Sequence, residues 1–315
     1  MKKKRCLILG GSGFLGKHLC KCLLENDYDV CVYGRHIEHL DCLKKMGIEF
    51  DFVQDDFVNW NRFDELLRDV DFVFHLISTT NPSNQDIFFD IQSNVLPTIK
   101  LLDSCKKNKI EKLIYFSSGG TVYGIPRYIP IDEGHRTQPI SPYGIHKLTI
   151  EKCIEYYGRS HDLNYAILRI SNPYGAGQNP MANQGAIAVF LAKAIMDQAI
   201  NVWGSGNVIR DYIFIDDVIE ACIKTMQYEG NKCIFNIGSG KGYSLNEIIY
   251  KMQKQLGKIV QVNYLPGRIQ DVPENILDIK LMEKEMKWKP KVSINDGITS
   301  MIDRWDNHTK CFRIK

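Results

Sequence analysis

The sequence has little of what marks a membrane protein or a nucleic-acid-binding protein. Its 315 residues include 40 basic and 37 acidic side chains, a formal net charge of +3, which is too small for a nucleic-acid footprint. No stretch approaches the roughly 18 uninterrupted apolar residues of a membrane-spanning helix. The nearest, 186–195, is interrupted by Lys193. We therefore expect neither a membrane nor a nucleic acid as partner.

Signals for export, disulfides and metals are missing as well. The basic leader at 1–5 is followed by only a short apolar run, which is the wrong shape for a secretory signal peptide. None of the ten cysteines forms a Cys-x-x-Cys pair, and several lie inside apolar runs, where reduced cysteine acts as a small hydrophobic residue. The eight histidines lack metal-ligand spacing. We expect a cytoplasmic protein without a metal.

What is present is an alternation of apolar strands and amphipathic helices. The patterns predict strands at 5–9, 29–33, 50–53, 71–76, 111–116 and 164–170, and helices at 14–25, 36–46, 60–69, 86–107 and 143–159. Strands that alternate with helices form a parallel sheet with right-handed crossovers. The predicted fold class is therefore α/β, a doubly wound parallel (Rossmann) sheet.

The alternation loosens from about residue 172, where loops separate shorter predicted helices at 185–198, 216–227, 244–256 and 294–305. We predict a dinucleotide-binding domain at 1–172, with the helix at 143–159 included. Residues 173–315 would form mainly a smaller substrate-binding cap domain, with some segments returning to the sheet. Ligands of such sheets bind at the carboxyl ends of the strands.

A glycine-rich turn joins the first predicted strand to the first predicted helix. Gly10, Gly13 and Gly16 have the Gly-x-x-Gly-x-x-Gly spacing. Such glycines allow a tight turn, close backbone approach to a pyrophosphate, and close helix–strand packing. The following helix amino terminus favours phosphate through its free N–H groups and dipole. The position of the motif at the first strand–helix junction predicts a bound dinucleotide.

The predicted helix at 143–159 carries Tyr143 and Lys147 four residues apart, so their side chains share one face. A tyrosine with pKa ~10 needs ~4 kcal/mol to work as an acid–base group at neutral pH. A lysine ~5 Å away at an effective dielectric of ~20 supplies ~3 kcal/mol of this. We expect His146, which lies between them in the sequence, to face away from Tyr143.

Five motifs in consistent order resemble those of the extended short-chain dehydrogenase/reductases, and within them the nucleotide-sugar epimerase, dehydratase and 4-ketoreductase group. They are the glycine turn, Ser117-Ser118-Gly119-Gly120-Thr121-Val122-Tyr123-Gly124, Ser141-Pro142-Tyr143-x-x-x-Lys147, Arg169-Ile-Ser-Asn172-Pro-Tyr-Gly175, and Arg210-Asp211-Tyr212. The resemblance covers nearly the whole chain, from residue 5 to about residue 305.

The resemblance implies a nicotinamide cofactor, NADP(H) or NAD(H), and assigns roles to residues. Tyr143 would exchange a proton with the 4-oxygen of the sugar, while Lys147 would hold the nicotinamide ribose. Asp56 would meet the adenine amino group, and Asn94 would be a buried polar residue that supports the site. The further cofactor-binding predictions are Gly10, Gly13, Phe14, Leu15, Gly16, Phe57 and Leu76.

The resemblance also implies a nucleotide-sugar substrate. Asn172, Arg210, Arg268 and Asp271 match residues that bind its phosphates, ribose and base. A guanidinium clamp suits a buried diphosphate, although Arg210 could instead form a surface ion pair with Asp211. Relatives commonly pair as homodimers through the helices at 143–159 and 86–107. Tyr156, Tyr157, Ile99 and Leu102 could supply that surface, or could face the sheet.

The sequence departs from the family pattern at the proton-relay hydroxyl. This hydroxyl usually lies three residues before the Val-Tyr-Gly of the motif, where this chain has Gly119. Ser118 and Thr121 flank the position, and either could replace the missing group. General acid–base catalysis contributes ~10²–10⁴-fold, so a relocated hydroxyl slows turnover without abolishing it.

A second departure concerns the end of the second predicted strand. Relatives that prefer NAD place an acid there for the adenosine ribose hydroxyls, whereas this chain has Tyr33-Gly34-Arg35. Without the carboxylate, a 2′-phosphate is not repelled, and Arg35 could bind it. Alternatively, Arg35 is a solvated residue. The sequence thus predicts NADP(H), or either dinucleotide.

These features predict an oxidoreductase that acts at C4 of a nucleotide sugar. A ketoreductase consumes an outside reductant, commonly NADPH, so the missing acid favours a 4-ketoreductase of a dTDP-4-keto-6-deoxyhexose. The alternatives are a UDP-glucose or UDP-N-acetylglucosamine 4-epimerase, and a dinucleotide-binding module without catalysis. The sequence leaves the sugar and the nucleotide open.

Overall fold

A computed structural model describes residues 3–45, 49–182, 184–267 and 272–305 of the chain. The chain divides into two compact units. The first consists of the chain up to Val122 together with Pro139–Arg169 and Ile219–Phe235. The second consists of Tyr123–Gln138, Ile170–Val218 and the chain from Asn236 onward.

The described strands are short and numerous. They are β1 Arg5–Leu9, β2 Asp29–Gly34, β3 Asp51–Gln54, β4 Phe72–His75, β5 Lys112–Ser118, β6 Tyr165–Ile170, β7 Asn172–Tyr174, β8 Ile200–Trp203, β9 Ile209–Phe214, β10 Ile234–Ile237, β11 Gly242–Ser244, β12 Val262–Leu265 and β13 Glu274–Asn275.

The described α-helices follow the predicted ones closely, with additions. They are α1 Phe14–Glu25, α2 Asp41–Lys45, α3 Phe63–Leu66, α4 Ile87–Asp90, α5 Leu96–Asn108, α6 Pro142–His161, α7 Ala186–Ile195, α8 Ile215–Gln227, α9 Leu245–Leu256, α10 Lys280–Met286 and α11 Ile294–Asp303. A 3₁₀ turn, Ile37–Leu40, precedes α2, and a π-helical turn, Ile91–Val95, joins α4 to α5.

A seven-stranded sheet in the order β10-β6-β5-β4-β1-β2-β3 organises the first unit. The pairings of β1 with β2 and β4, of β2 with β3, and of β4 with β5 are parallel. This strand order confirms the doubly wound α/β fold class. Apolar side chains of the strands and helices form a core in this unit. Its members include Leu7 on β1, Tyr115 on β5, Leu101 on α5 and Ile154 on α6, all inaccessible to solvent.

The second unit has two smaller sheets. Strands β11, β9 and β13 lie side by side, and β7 pairs with β9 as well. Strands β8 and β12 form a separate parallel pair. Several of these strands have only two to four residues, which is shorter than a periodic pattern needs to be recognised.

The helix predicted at 86–107 is interrupted in the structure. Its first turn, α4, begins after Asp86, whose carboxylate accepts from the Phe89 amide N–H. The π-helical turn that follows brings Asp90, Ser93 and Asn94 to buried positions. Such turns are wider than an α-helix and frequently occur at functional sites.

Candidate active site and dinucleotide-binding site

The glycine turn has the geometry that a pyrophosphate requires. Gly10 has φ +85°, in the left-handed region that favours glycine. A Cβ on Gly16 would lie 2.4 Å from the Gly10 carbonyl oxygen and from Gly11 Cα, so the helix approaches the turn too closely for any side chain. Helix α1 begins after Gly13 without a side-chain cap. The residues present therefore fit the phosphates of a dinucleotide.

The end of β2 holds no carboxylate. Tyr33 is fully buried against Phe57 and Trp60, with ring centroids 6.4 and 5.3 Å away. Gly34 is buried too, and a Cβ there would lie 2.8 Å from the Ser12 hydroxyl oxygen. The Ser12 side chain thus occupies the space that an acidic side chain at position 34 would need.

Basic groups surround this position. Arg35 and His36 are exposed. His39 hydrogen-bonds the Ser12 backbone, and burial, followed by the positive charges of Lys17 and His36, lowers the pKa of His39. Acids are close as well. Glu38 Oε1 lies 2.9 Å from His36 Nδ1, and the Asp55 amide N–H donates to the Gly34 carbonyl at 3.2 Å. Burial, followed by the charges of Asp55 and Asp56, raises the pKa of Tyr33, so groups of both signs lie at this end of the sheet.

The other predicted cofactor residues occupy different environments. Asp56 Oδ1 accepts from the Val58 amide N–H at 3.0 Å. Phe57 is buried in the core, 5.6 Å from the ring of Phe63. Leu76 is partly buried just after β4, where its amide N–H donates to the Leu9 carbonyl at 3.0 Å. Phe14 and Leu15 form the first turn of α1, both partly buried.

Asn94 supports the loop that follows β4. It is 2% exposed, its Oδ1 accepts from the Thr79 amide N–H at 2.8 Å, and its Nδ2 donates to the Thr79 hydroxyl at 2.8 Å. A buried amide with both ends satisfied fixes the backbone it binds. Asn94 therefore anchors the loop at 78–80, in keeping with a supporting role.

The structure places Tyr143 and Lys147 on one face of α6. This helix begins at Pro142, and Ser141 caps it by accepting from the Gly144 amide N–H at 3.2 Å. Lys147 Nζ lies 5.7 Å from the Tyr143 ring centroid and 5.0 Å from that of Tyr115. It donates to the Phe116 carbonyl at 2.8 Å.

Burial dominates the ionisation of both groups. It raises the pKa of the half-buried Tyr143 to about 12, against a hydrogen bond from Ser78 that lowers it and the charge of Asp90 that raises it further. Burial lowers the pKa of Lys147 to about 7, opposed by Glu151. In the protein without a cofactor, burial therefore outweighs the lowering of the Tyr143 pKa that we expected from Lys147.

The two candidate relay hydroxyls differ in their surroundings. Ser118 ends β5 and is partly exposed. The Thr121 hydroxyl oxygen is buried and has no hydrogen-bond partner among the described residues. A buried polar atom without a partner costs ~1–3 kcal/mol. Of the two candidates, Thr121 thus has the buried hydroxyl that lacks a partner in the described part of the chain.

The prediction for His146 is wrong. Its ring lies 5.0 Å from that of Tyr143, edge on, and is 1% exposed. Residues three apart on a helix lie on the same side, and this contact follows from that spacing. His146 Nδ1 also lies 3.0 Å from Asp90 Oδ1, although the angle departs from that of a good hydrogen bond.

The predicted substrate residues that the structure describes lie on β7 and β9. Asn172 Nδ2 donates to the Asp211 carbonyl at 2.9 Å. Arg210 Nη1 donates to the carbonyls of Ile209 and Val272 at 2.9 and 2.6 Å. Arg268 and Asp271 lie outside the described residues.

Asp211 is not a surface ion-pair partner of Arg210. It is fully buried, and it accepts from the amide N–H of Ser239 at 2.7 Å and from that of Gly240 at 3.1 Å. Burial raises the pKa of this carboxyl, and these hydrogen bonds oppose the rise. The alternative of a surface ion pair is therefore wrong, because Asp211 holds loops together inside the second unit.

Comparison with known proteins identifies the family. The model of the NAD dependent epimerase/dehydratase family matches residues 6–238. The chain belongs to this family. As a member of it, the protein is an enzyme of the extended short-chain dehydrogenase/reductase class that uses a nicotinamide dinucleotide.

Members of this family with curated descriptions match over nearly the whole chain. A putative UDP-glucose 4-epimerase of Methanocaldococcus jannaschii is 35% identical, covering 96% of this chain and 99% of the relative. A dTDP-4-dehydro-6-deoxyglucose reductase of Escherichia coli is 32% identical, covering 96% and 97%. The protein thus falls among nucleotide-sugar 4-epimerases and reductases.

A solved family structure agrees with this placement. The UDP-glucose 4-epimerase of Thermotoga maritima, with UDP-glucose, superimposes with a TM-score of 0.90 at 29% identity, covering 96% of this chain and 99% of that one. Among the described residues of the present enzyme, no helix is long and apolar enough to cross a membrane. Within the same ranges, no three potential metal ligands cluster.

Proposed function

We propose that the enzyme is an NADP(H)-dependent 4-ketoreductase that acts on a dTDP-linked 4-keto-6-deoxyhexose. The observation that carries this proposal is the end of β2, where Gly34 replaces an acid and Ser12 fills the space. Lys17 and Arg35 supply positive side chains in this region, next to His36 and His39. A 2′-phosphate carries about two negative charges, so this environment favours NADP(H).

The cofactor preference bears on the reaction because of its redox balance. A ketoreductase converts one ketone, one reduced dinucleotide and one proton into an alcohol and the oxidised dinucleotide, so the dinucleotide must exchange at each turnover. An epimerase returns its dinucleotide to the oxidised state and has no need of an outside reductant. A site suited to NADPH therefore supports net reduction.

The chain's own residues supply the acid–base chemistry. When bound, a reduced nicotinamide supplies the hydride. The Tyr143 hydroxyl would donate its proton to the oxygen at C4, and its high pKa keeps it protonated and ready to donate at neutral pH. The unpartnered Thr121 hydroxyl would hydrogen-bond the same oxygen. Lys147 would hold the nicotinamide ribose.

Residues of the second unit would bind the nucleotide sugar. We assign Arg210 to the phosphates, because a guanidinium suits bidentate recognition of phosphate and because the carbonyls of Ile209 and Val272 hold its Nη1 in place. Asn172 would contribute to the same ligand, together with Arg268 and Asp271. Substitution of Arg210 should then raise KM for the nucleotide sugar more than that for the dinucleotide.

A UDP-sugar 4-epimerase is the second candidate. It is favoured by the 35% identity to the putative UDP-glucose 4-epimerase of M. jannaschii and by the likeness to the T. maritima epimerase. The E. coli reductase is nearly as similar, at 32%. Overall likeness therefore favours the epimerase, since most of these curated relatives are UDP-glucose 4-epimerases. The dinucleotide site is the feature that favours reduction.

We also propose that the enzyme is a homodimer, with an interface that differs from the one expected from the sequence. Leu102 is fully buried and Tyr157 is 8% exposed, so these two residues face the core of their own chain. The exposed apolar side chains of this region are Ile87, Phe88, Phe89, Ile91, Leu96 and Tyr156. Light scattering should give twice the chain mass for the wild type and the chain mass for Phe88→Asp.

The reaction is tested by mixing the purified enzyme with a dTDP-4-keto-6-deoxyhexose and either NADPH or NADH. We expect loss of absorbance by the reduced nicotinamide in proportion to the sugar, and faster loss with NADPH. If the reduced cofactor is not consumed, while the enzyme releases NAD⁺ on denaturation and interconverts UDP-sugar epimers, the protein is an epimerase.

A further inference from the structure

The Tyr143 side chain is contacted from two sides by groups that have no role in the proposed chemistry. On one side, Ser78 in the loop after β4 interacts with the Tyr143 hydroxyl and lowers its pKa, against the larger effect of burial. On the other, the His146 ring packs edge on against the Tyr143 ring at 5.0 Å. The position of the hydroxyl therefore depends on how the loop and the imidazole are held.

The loop and the imidazole both contact the same carboxylate. Asp90 is fully buried at the end of α4. Its Oδ1 accepts from the Thr80 hydroxyl and lies 3.0 Å from His146 Nδ1, and its Oδ2 accepts from Asn84 Nδ2 at 3.0 Å. A buried charge is costly unless it is satisfied by such partners.

The loop contacts extend from Asp90 to the tyrosine in a short chain. The Ser78 hydroxyl donates to the Thr80 carbonyl at 3.0 Å. Thr80 is in turn bound to Asp90 through its hydroxyl. Because Asn94 also fixes Thr79, Thr79 and Thr80 are both bonded to the helical segment, and Ser78 is joined to it through Thr80.

We propose that Asp90 is a positioning residue for Tyr143, acting through the Ser78–Thr80 loop on the hydroxyl and through His146 on the ring. The π-helical turn after Asp90 belongs to this arrangement, because it brings Asp90, Ser93 and Asn94 together on the buried side. The inference rests on the proton-transfer role proposed for Tyr143, but it holds for reduction and epimerisation alike.

The charge of Asp90 should be visible in the titration of Tyr143. The other titratable groups nearby are His146 and Lys147 on α6, Tyr115 on β5 and His75 on β4. Burial lowers the pKa of each histidine to about 3 and that of Lys147 to about 7, and raises the pKa of Tyr115. Above pH 8 these groups are neutral, and Glu151 beyond them is paired with Arg169.

Removal of the Asp90 charge should change the pKa of Tyr143 in a known direction. Asp90 raises the pKa of Tyr143, so Asp90→Asn should move the Tyr143 titration to lower pH. One unit charge within about 10 Å at an effective dielectric of about 20 corresponds to a shift on the order of one pH unit. The amide keeps the shape and can still accept from Thr80.

The experiment follows the ¹³Cζ signal of labelled tyrosine between pH 8 and 12, with Tyr143→Phe to assign the signal. The enzyme carries oxidised dinucleotide and no sugar, because the positive charge of the oxidised nicotinamide should lower the Tyr143 pKa from about 12 into this range. We expect the Tyr143 midpoint to fall by about one pH unit in Asp90→Asn. Asp103→Asn is the matched control, since Asp103 accepts from Tyr157 on the same helix at 2.6 Å, and it should leave the Tyr143 midpoint unchanged.

A second variant tests the ring contact without removing the buried charge. His146→Leu should lower kcat about tenfold with KM for the sugar unchanged, because the hydroxyl is misplaced while binding is intact. The inference would be overturned if the Tyr143 midpoint is unchanged in Asp90→Asn. It would also be overturned if kcat of His146→Leu falls only in proportion to the folded fraction. If the wild type turns over no nucleotide sugar, the proposed function fails. The NMR comparison would still test the role of Asp90.

Discussion

The substitution Gly34→Asp should reverse the dinucleotide preference. Gly34 is not among the glycines with positive φ, so its backbone accepts a side chain. The obstacle is the Ser12 hydroxyl, 2.8 Å from the new Cβ, whereas Ser12 Cβ is 3.6 Å away. The change is therefore best made together with Ser12→Ala, which removes the crowding atom and leaves the backbone in place.

The size of the effect follows from the charges. A carboxylate about 5 Å from a 2′-phosphate of about two negative charges, at a dielectric of about 80, disfavours NADPH by about 1.7 kcal/mol, or about 17-fold. Hydrogen bonds from the ribose hydroxyls to the carboxylate favour NADH by about 1.5 kcal/mol, or a little over about tenfold. The ratio of kcat/KM for NADPH to that for NADH should therefore fall about 200-fold.

The assay is steady-state reduction with each dinucleotide, and Gly34→Asn in the same Ser12→Ala background is the control. The amide has the same size without the charge, so it reports any steric effect alone. If Asp and Asn change the ratio equally, the missing carboxylate does not set the preference, and the argument from the end of β2 fails.

Two further predictions concern Lys147 and the relay hydroxyl. Because the pKa of Lys147 falls from 10.5 to about 7 on folding, its contribution to stability is present above pH 10.5 and is lost as the pH falls through about 7. Lys147→Met should therefore gain stability relative to the wild type by up to about 1.4 kcal/mol per pH unit between pH 10 and 7, measured by urea unfolding. An equal difference at all pH values would contradict this. Thr121→Val should lower kcat about 10²-fold and Ser118→Ala much less, as measured by initial rates; the reverse order would assign the relay to Ser118.

The first unit was predictable because its signals are local. The strands and helices up to 170 repeat apolar residues with clear periods, and the predicted helix at 14–25 coincides with Phe14–Glu25. The shared face of Tyr143 and Lys147 follows from helical spacing alone. The short strands of the second unit, such as Glu274–Asn275, are defined by pairing with distant strands and leave no periodic pattern.

The part of the site that sequence reasoning missed depends on contacts between distant segments. Asp90 meets His146 although the two are far apart in the chain, and no spacing rule connects them. The Ser78-Thr79-Thr80 run after a predicted strand was a usable signal, since short polar side chains at the carboxyl end of a parallel strand often line a site. Helical spacing alone should have placed His146 beside Tyr143.

The measurement that tests the central claim most directly follows deuterium from NADPH labelled at both hydrogens of the nicotinamide C4. The enzyme is incubated with a dTDP-4-keto-6-deoxyhexose, and the product is examined by mass spectrometry and NMR. Our account predicts one deuterium, bound to C4 of the sugar. Product free of deuterium, or conversion only between UDP-sugar epimers without use of NADPH, would contradict it.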